Sequence, residues 1–455
     1  LGPILPYLLP FLSGFLLALG AIWMKNPFFK LAERSVGLLN ILVADIDEDE
    51  KFELVNTKVM QTVGSLLLVL LMATLVITSS IAIYSGLFEY LSFEPSGYGM
   101  LLLAVGSVVP FVIPKKKKSA YSAMAQLFHH LVLDNYHLGK KLLNYQIKGV
   151  AAENQSDRKY SRVLITGLAR AGTTALTKEL AKRGPFASLD YGNMPVLLAP
   201  KLWAKFYKPK RTENKERAHG DGVKVGLASV EALEEYFFKV IKDDSYIKED
   251  GLYQHELSEE ENELYRRYQN SIAGNNIYLA KNNNAVLRLE SLTKHNPDLA
   301  VFLLVRDPLQ HAYSLMQQHI KFSAQQEGDP FIKDYMDWLG HHEFGSGQRP
   351  FVLKGVGTQN GDPNDINYWL ERWINYYSQV SIGENTFVLT YEDFLAKPKS
   401  TMTFIRSTLD VDMNLDFTNN FDKVPVSVKH ANEALLSDAN ALYKKLTSRC
   451  PNLSS

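Results

Sequence analysis

Four residues separate Gly167 from Gly172 in "LITGLARAGTTAL", residues 164–176, and Thr173 and Thr174 follow at once. That is the frame of a phosphate-binding loop, G-x-x-x-x-G-K-[ST], with threonine where the lysine belongs. Such a loop turns backbone amides and a helix N-terminus toward an anion, which makes Ala171, Gly172, Thr173 and Thr174 candidate binding positions. Its only cation, Arg170, sits inside the turn. The lysine of that frame neutralises β- and γ-phosphates beside a hydroxyl that holds magnesium, so its absence argues against ATP or GTP hydrolysis. A donor with one 5′-phosphate and one transferable group needs instead a cation at the bridging oxygen, and Arg170 can supply it.

A second stretch, "LLVRDPLQHAYSLMQQH", places Arg306 at a strand end and Ser314 eight residues on. Pro308 favours a helix start, and Ser314 then lies about two turns along. Guanidinium and hydroxyl can converge on a further phosphate, at a place separate from the first loop. An Asp-Pro turn alone is an ordinary helix cap; the two loops in this order are more specific.

Both loops have to be held by the elements around them. From residue 159 short apolar runs alternate with helical patterns: "RVLITG" before a helix at 172–183, "IYLAK" before one at 285–295, "VFLLVRD" before one at 309–320, and "NTFVLTYEDF" before a helix after Pro398. This alternation implies an α/β fold, a P-loop-type, mostly parallel sheet flanked by helices, with ligands at the carboxyl ends of the strands. Residues 321–365, rich in Gly, Gln, Asp and Asn, interrupt the pattern and read as a lid or acceptor loop.

The pair of loops resembles the nucleotide site of sulfotransferases that use 3′-phosphoadenosine-5′-phosphosulfate, and the likeness runs from about residue 160 to about residue 410. "GLARAGTTAL" is similar to their 5′-phosphosulfate loop, with arginine where many members have lysine, and "VRDPLQHAYS" to their 3′-phosphate motif. The resemblance implies that phosphosulfate as donor, with no metal, and a catalytic Arg170 with Lys281 of "YLAKNNN" as a second cation. It also implies a catalytic carboxylate just after the first helix, where Asp190 of "FASLDYGNMP" is the first choice for general base. His219 and Asp221 of "ERAHGDG" are the alternatives. "HHEFGSG" at 341–347 offers adjacent residues that cannot all face one metal ion. Cytosolic members close the site with a C-terminal "RKG…G" loop that this chain lacks; Lys429 is the nearest substitute.

Ahead of the α/β region the chain reads as a membrane segment. Residues 62–88 carry no charge, which is more than the ~20 residues that cross a hydrocarbon core. Residues 98–114 and 1–24 are also uncharged, the first at the short limit and the second interrupted by prolines, with a signal peptide as the rival reading. The organisation is therefore 1–118 with two to three transmembrane helices, 119–158 an amphipathic helix and linker, and 159–455 the transferase domain. Lys115 to Lys118 after the third apolar stretch place that domain in the cytoplasm, which points to a bacterial inner membrane.

Balanced charge, 49 basic and 49 acidic residues, gives no case for nucleic acid, and the lone Cys450 excludes an internal disulfide. Membrane attachment favours a lipid, glycan or other amphiphilic acceptor near the bilayer; the oligomeric state stays open. The competing readings are a membrane-anchored nucleotide-binding protein without catalysis and a P-loop kinase.

Overall fold

The structure is a computed structural model that describes residues 5–43, 48–91, 97–112, 123–153, 158–207, 215–216, 224–225, 232–354, 361–416 and 431–453. His219, Asp221, Lys115 to Lys118 and Lys429 lie outside the described residues. The chain divides into two compact units, residues 1–137 and 138–455.

The first unit is helical: α1 Leu5–Val43, α2 Glu48–Leu91, α3 Gly97–Val112 and α4 Ala123–Leu133. Within it, α1 packs on both α2 and α3. The contact with α3 is close because both helices offer glycine: a Cβ on Gly14 would lie 2.1 Å from the Leu103 carbonyl oxygen, and one on Gly106 would lie 2.1 Å from that of Phe11. Small residues that let backbones approach are how helices associate where lipid removes the hydrophobic drive. Outward faces stay apolar, with Trp23, Leu67, Leu71 and Ile81 exposed. Two segments, Pro10–Leu38 and Glu53–Ile83, are long and apolar enough to cross a membrane. The α3 helix has 16 residues, ~24 Å at 1.5 Å per residue, short of a ~30 Å core. Pro10 and Pro27 lie inside a continuous α1, so the prolines do not end the helix.

The second unit holds a five-stranded sheet: β1 Arg162–Thr166, β2 Phe186–Ala187, β3 Ile277–Lys281, β4 Leu299–Val305 and β5 Thr386–Thr390. The order is β5-β4-β1-β3-β2 and every pairing is parallel. Strands buried on both faces read as continuous apolar runs. Alternate side chains then feed two cores. Leu303, Val305 and Val388 meet Trp369, Trp373 and Tyr376 on one side. Phe302, Leu304 and Leu389 meet Leu176, Leu180, Met402 and Ile405 on the other.

Helices of this unit include α5 Tyr136–Gln146, α6 Thr173–Arg183 after β1, α7 Pro308–Gly328 after β4 and α8 Ile366–Ser378. Three expectations change. The amphipathic helix expected within 119–158 is two helices, α4 and α5, separated at Asp134 and Asn135. Along them Phe128, Leu131 and Tyr145 are exposed, while His129, Val132 and Leu143 are buried. The helix expected at 285–295 is a 3-10 turn, Asn283–Leu287, followed by Leu289–His295. Residues 321–338 are not loop: α7 continues to Gly328 and a further helix, Pro330–Trp338, follows.

Candidate active site

The first loop leaves β1 through Gly167 and enters α6 through Gly172, with positive φ at Gly167 (141°), Arg170 (75°) and Gly172 (93°). Only glycine reaches the Gly172 geometry without strain, and a Cβ there would also lie 2.3 Å from the Tyr391 ring. Arg170 carries the left-handed cost that a side chain pays, ~1–2 kcal/mol. Tyr377 on α8 braces the turn: its hydroxyl donates to the Leu304 carbonyl at 2.8 Å and accepts from the Leu168 amide at 3.2 Å.

Arg170, Arg306 and Ser314 come together, although the sequence reading kept the two anion positions apart. Arg306 Nη1 donates to the Arg170 carbonyl at 3.1 Å, and Arg170 Nε donates to Ser314 Oγ at 3.3 Å. The Arg306 guanidinium lies 4.8 Å from the centre of the Tyr391 ring. Asp307 caps α7 by accepting from the Gln310 amide at 2.9 Å. One turn on, His311 is fully buried and donates from Nε2 to the Ala169 carbonyl at 2.7 Å. Burial pushes its pKa down to about 3, against that bond, with Arg306 and Arg170 adding to the shift. The imidazole is therefore neutral, and it ties the second motif to the first loop.

A cavity of 410 Å³ opens at the carboxyl ends of the strands, lined on its polar side by Arg170, Thr173, Thr174, Lys178, Lys281 and Arg306. Thr173 Oγ1 donates to Asn283 Oδ1 at 3.3 Å, and Asn283 Nδ2 donates to Glu343 Oε1 at 2.9 Å. Glu343 Oε2 lies 3.6 Å from His341 Nδ1. Burial pushes the Glu343 carboxyl up, but His341 and the Asn283 amide outweigh it and hold its pKa at about 2. The apolar wall is made by Phe322 of α7, Met336 of the next helix, Leu339 and Phe344.

Asp190 is not among the residues lining this cavity; its neighbour Tyr191 is. Asp190 caps the 3-10 turn Tyr191–Asn193 in a reciprocal capping box with Asn193. Burial raises its pKa, opposed by the amides of Gly192 and Asn193. Ser314 is likewise not among the lining residues; its Oγ accepts from Arg170 Nε. Lys178, Asn283, His341 and Glu343 were missed from the sequence. Lys178 had a signal, four residues after Thr174 on the same helical face. His341 and Glu343 were weighed only as metal ligands. They face each other, whereas Nδ1 of His342 donates to the Gly347 carbonyl at 3.0 Å. Among the described residues no cluster of three or more His, Cys, Asp or Glu is placed to hold a metal ion.

The parallel five-stranded sheet flanked by helices, with two loops converging on one arginine, defines an α/β domain. Residues 162–345, from the start of β1 to Gly345, match the model of the Sulfotransferase family. No curated protein matches the chain. Among solved structures it is similar to the sulfotransferase STF1 from Mycobacterium tuberculosis, at 13% identity and a TM-score of 0.34, covering 80% of this chain and 96% of that one. It is also similar to STF9 from Mycobacterium avium, at 14% identity and a TM-score of 0.36, covering 79% and 84%. A sulfotransferase from Alicyclobacillus acidocaldarius matches at 12% identity and a TM-score of 0.25, covering 63% and 93%. Likenesses this distant say nothing of donor or acceptor.

Proposed function

We propose that this protein transfers a sulfuryl group from 3′-phosphoadenosine-5′-phosphosulfate to a hydroxyl of a membrane-associated or amphiphilic acceptor, a lipid, glycan or metabolite. The observation that carries the reading is the meeting of the two loops: Arg306 and Ser314 both bond to Arg170, whose turn opens α6. The amides of Ala171 to Thr174 and the α6 N-terminus face the 5′-phosphosulfate, Arg306 and Ser314 serve the 3′-phosphate, and Arg170 lies between. Lys281, buried in the cavity wall, and Lys178 supply positive charge for the leaving phosphate. The wall of Phe322, Met336, Leu339 and Phe344 supports an acceptor with an apolar body.

The localisation belongs to the same proposal: a bacterial inner membrane, with the transferase domain on the cytoplasmic side, where this donor is made. Two apolar helices of sufficient length and the lysines at 115–118 support it. The test is a titration of the full-length protein in detergent with adenosine 3′,5′-bisphosphate and, separately, with ATP and magnesium. Tight metal-independent binding of the bisphosphate with weak ATP competition is the expected result. Preference for magnesium-ATP makes the chain a kinase. Bisphosphate binding with no sulfated product from labelled donor and membrane lipids makes it a binding protein.

A further inference from the structure

We infer that His341 accepts the proton of the acceptor hydroxyl and that Glu343 positions it, the two forming a dyad in the cavity that the donor loop lines. The inference rests on the sulfuryl-transfer reading and adds the missing half of its chemistry. Both side chains line the cavity that holds Arg170, Lys281 and Arg306. Glu343 is 5% exposed and anchored through Oε1 by the Asn283 amide. Its Oε2 has no hydrogen-bond partner among the described residues and faces Nδ1 of His341 at 3.6 Å. A buried carboxylate oxygen left that way is costly unless a cation or donor meets it. An imidazole that gains a proton on Nε2 and holds its other proton on Nδ1 meets that need.

The backbone makes the arrangement specific. Gly340 (φ 67°) and Gly345 (φ 88°) bracket the segment, and the His341 amide bonds to the Met336 carbonyl at 2.9 Å, fixing where the turn leaves its helix. His342 turns the other way, toward Gly347 and Asp337. His341 keeps a quarter of its side chain exposed while Glu343 is enclosed, the disposition of a group that meets a substrate and a group that supports it. Through Asn283, Glu343 is linked by hydrogen bonds to Thr173 at the start of α6, so the positioning carboxylate is tied to the donor loop.

The step balances as follows. The acceptor oxygen forms a bond to sulfur as the bond from sulfur to the bridging oxygen of the phosphosulfate breaks. The bridging oxygen keeps that electron pair and leaves as phosphate, its charge met by the cavity's cations. The acceptor's proton passes to Nε2 of His341, whose Nδ1 proton is held by Glu343. The other charged groups sharing the cavity are Arg170, Lys178, Glu179, Lys281 and Arg306.

The experiment uses full-length protein in detergent, labelled phosphosulfate donor, and 2-naphthol, membrane lipid extract or water as acceptor. His341→Ala should lower turnover ~10²-fold or more, leave bisphosphate affinity within about threefold, and recover with added imidazole in proportion to its free base. Glu343→Gln should lower turnover without imidazole rescue, and the double variant should be no slower than His341→Ala, as expected for residues acting as a unit. A His341→Ala variant that keeps full turnover overturns the dyad. So does a loss confined to Asp190→Asn, or wild-type protein that binds bisphosphate and moves sulfate to none of the three acceptors. Failure to bind bisphosphate at all would instead remove the donor reading beneath it.

Discussion

Nε2 of His311 donates to the carbonyl oxygen of Ala169 across 2.7 Å, joining the helix after β4 to the loop after β1. The ring is fully enclosed, so the carbonyl has no water to turn to if the donor is removed. His311→Leu should cost about 1–3 kcal/mol of stability, the penalty of a buried group left unpaired. Because the same bond sets the loop that carries Arg170, bisphosphate affinity should fall with it. Denaturant midpoints and calorimetric titration read the two effects, and unchanged values in both would dissociate His311 from the loop.

Buried neutral histidines also set the response to acid. Burial pushes His311 to about 3, and His255 and His342 to about 4, from an ordinary 6.5. Their folded pKa values are depressed, so the unfolded chain binds protons first. Stability contributed by these rings is full above pH 6.5 and is lost as pH falls toward 4. Glu234 runs the other way: burial raises it to about 7, so its contribution is full below pH 4.5 and fades as pH rises through 7. With His129 and His319 also lowered and Asp190 also raised, depressed histidines outnumber raised carboxyls, so the denaturant midpoint should drop between pH 6.5 and 5. A flat midpoint over that range contradicts the assignment.

Gly172 joins backbone geometry to the anion site. A side chain there is strained at φ 93° and collides with the Tyr391 ring, on which Arg306 rests. Gly172→Ala should cost ~2–4 kcal/mol from left-handed strain and overpacking combined. It should also weaken bisphosphate binding, because moving Tyr391 moves Arg306. A stable variant with normal affinity counts against the close fit.

Arg306→Ala removes a charge-assisted contact worth ~1.5–3 kcal/mol, roughly 10- to 150-fold in affinity. If Arg306 serves the 3′-phosphate, the variant should bind adenosine 5′-monophosphate and the 3′,5′-bisphosphate almost equally. Retained preference for the bisphosphate would place the 3′-phosphate elsewhere.

Topology is tested from outside. Protease added to sealed, right-side-out cells should leave residues 159–455 intact, as the lysines at 115–118 require under the positive-inside rule. Digestion of that region from outside reverses the orientation and separates the enzyme from a cytoplasmic donor.

What the sequence determined by itself was the set of local signals. Continuous apolar runs set the strands of a parallel sheet, a glycine frame without lysine marked the loop between β1 and α6, Asp307 and Pro308 marked the next helix, and uncharged segments marked the long apolar helices. Each depends on a few adjacent residues, through propensity, turn geometry or hydropathy, and so survives without knowledge of the fold. The meeting of Arg170 with Ser314, 144 residues apart in the chain, was decided only by the tertiary structure. So was the composition of the cavity lining, which includes His341 and Glu343 and not Asp190. Asp190 forms a local capping box with Asn193, three positions on. Glu343 meets Asn283, 60 positions earlier, only because the turn after β3 carries that amide to it. Strand order and helix packing set such pairings, and no spacing along the chain records them.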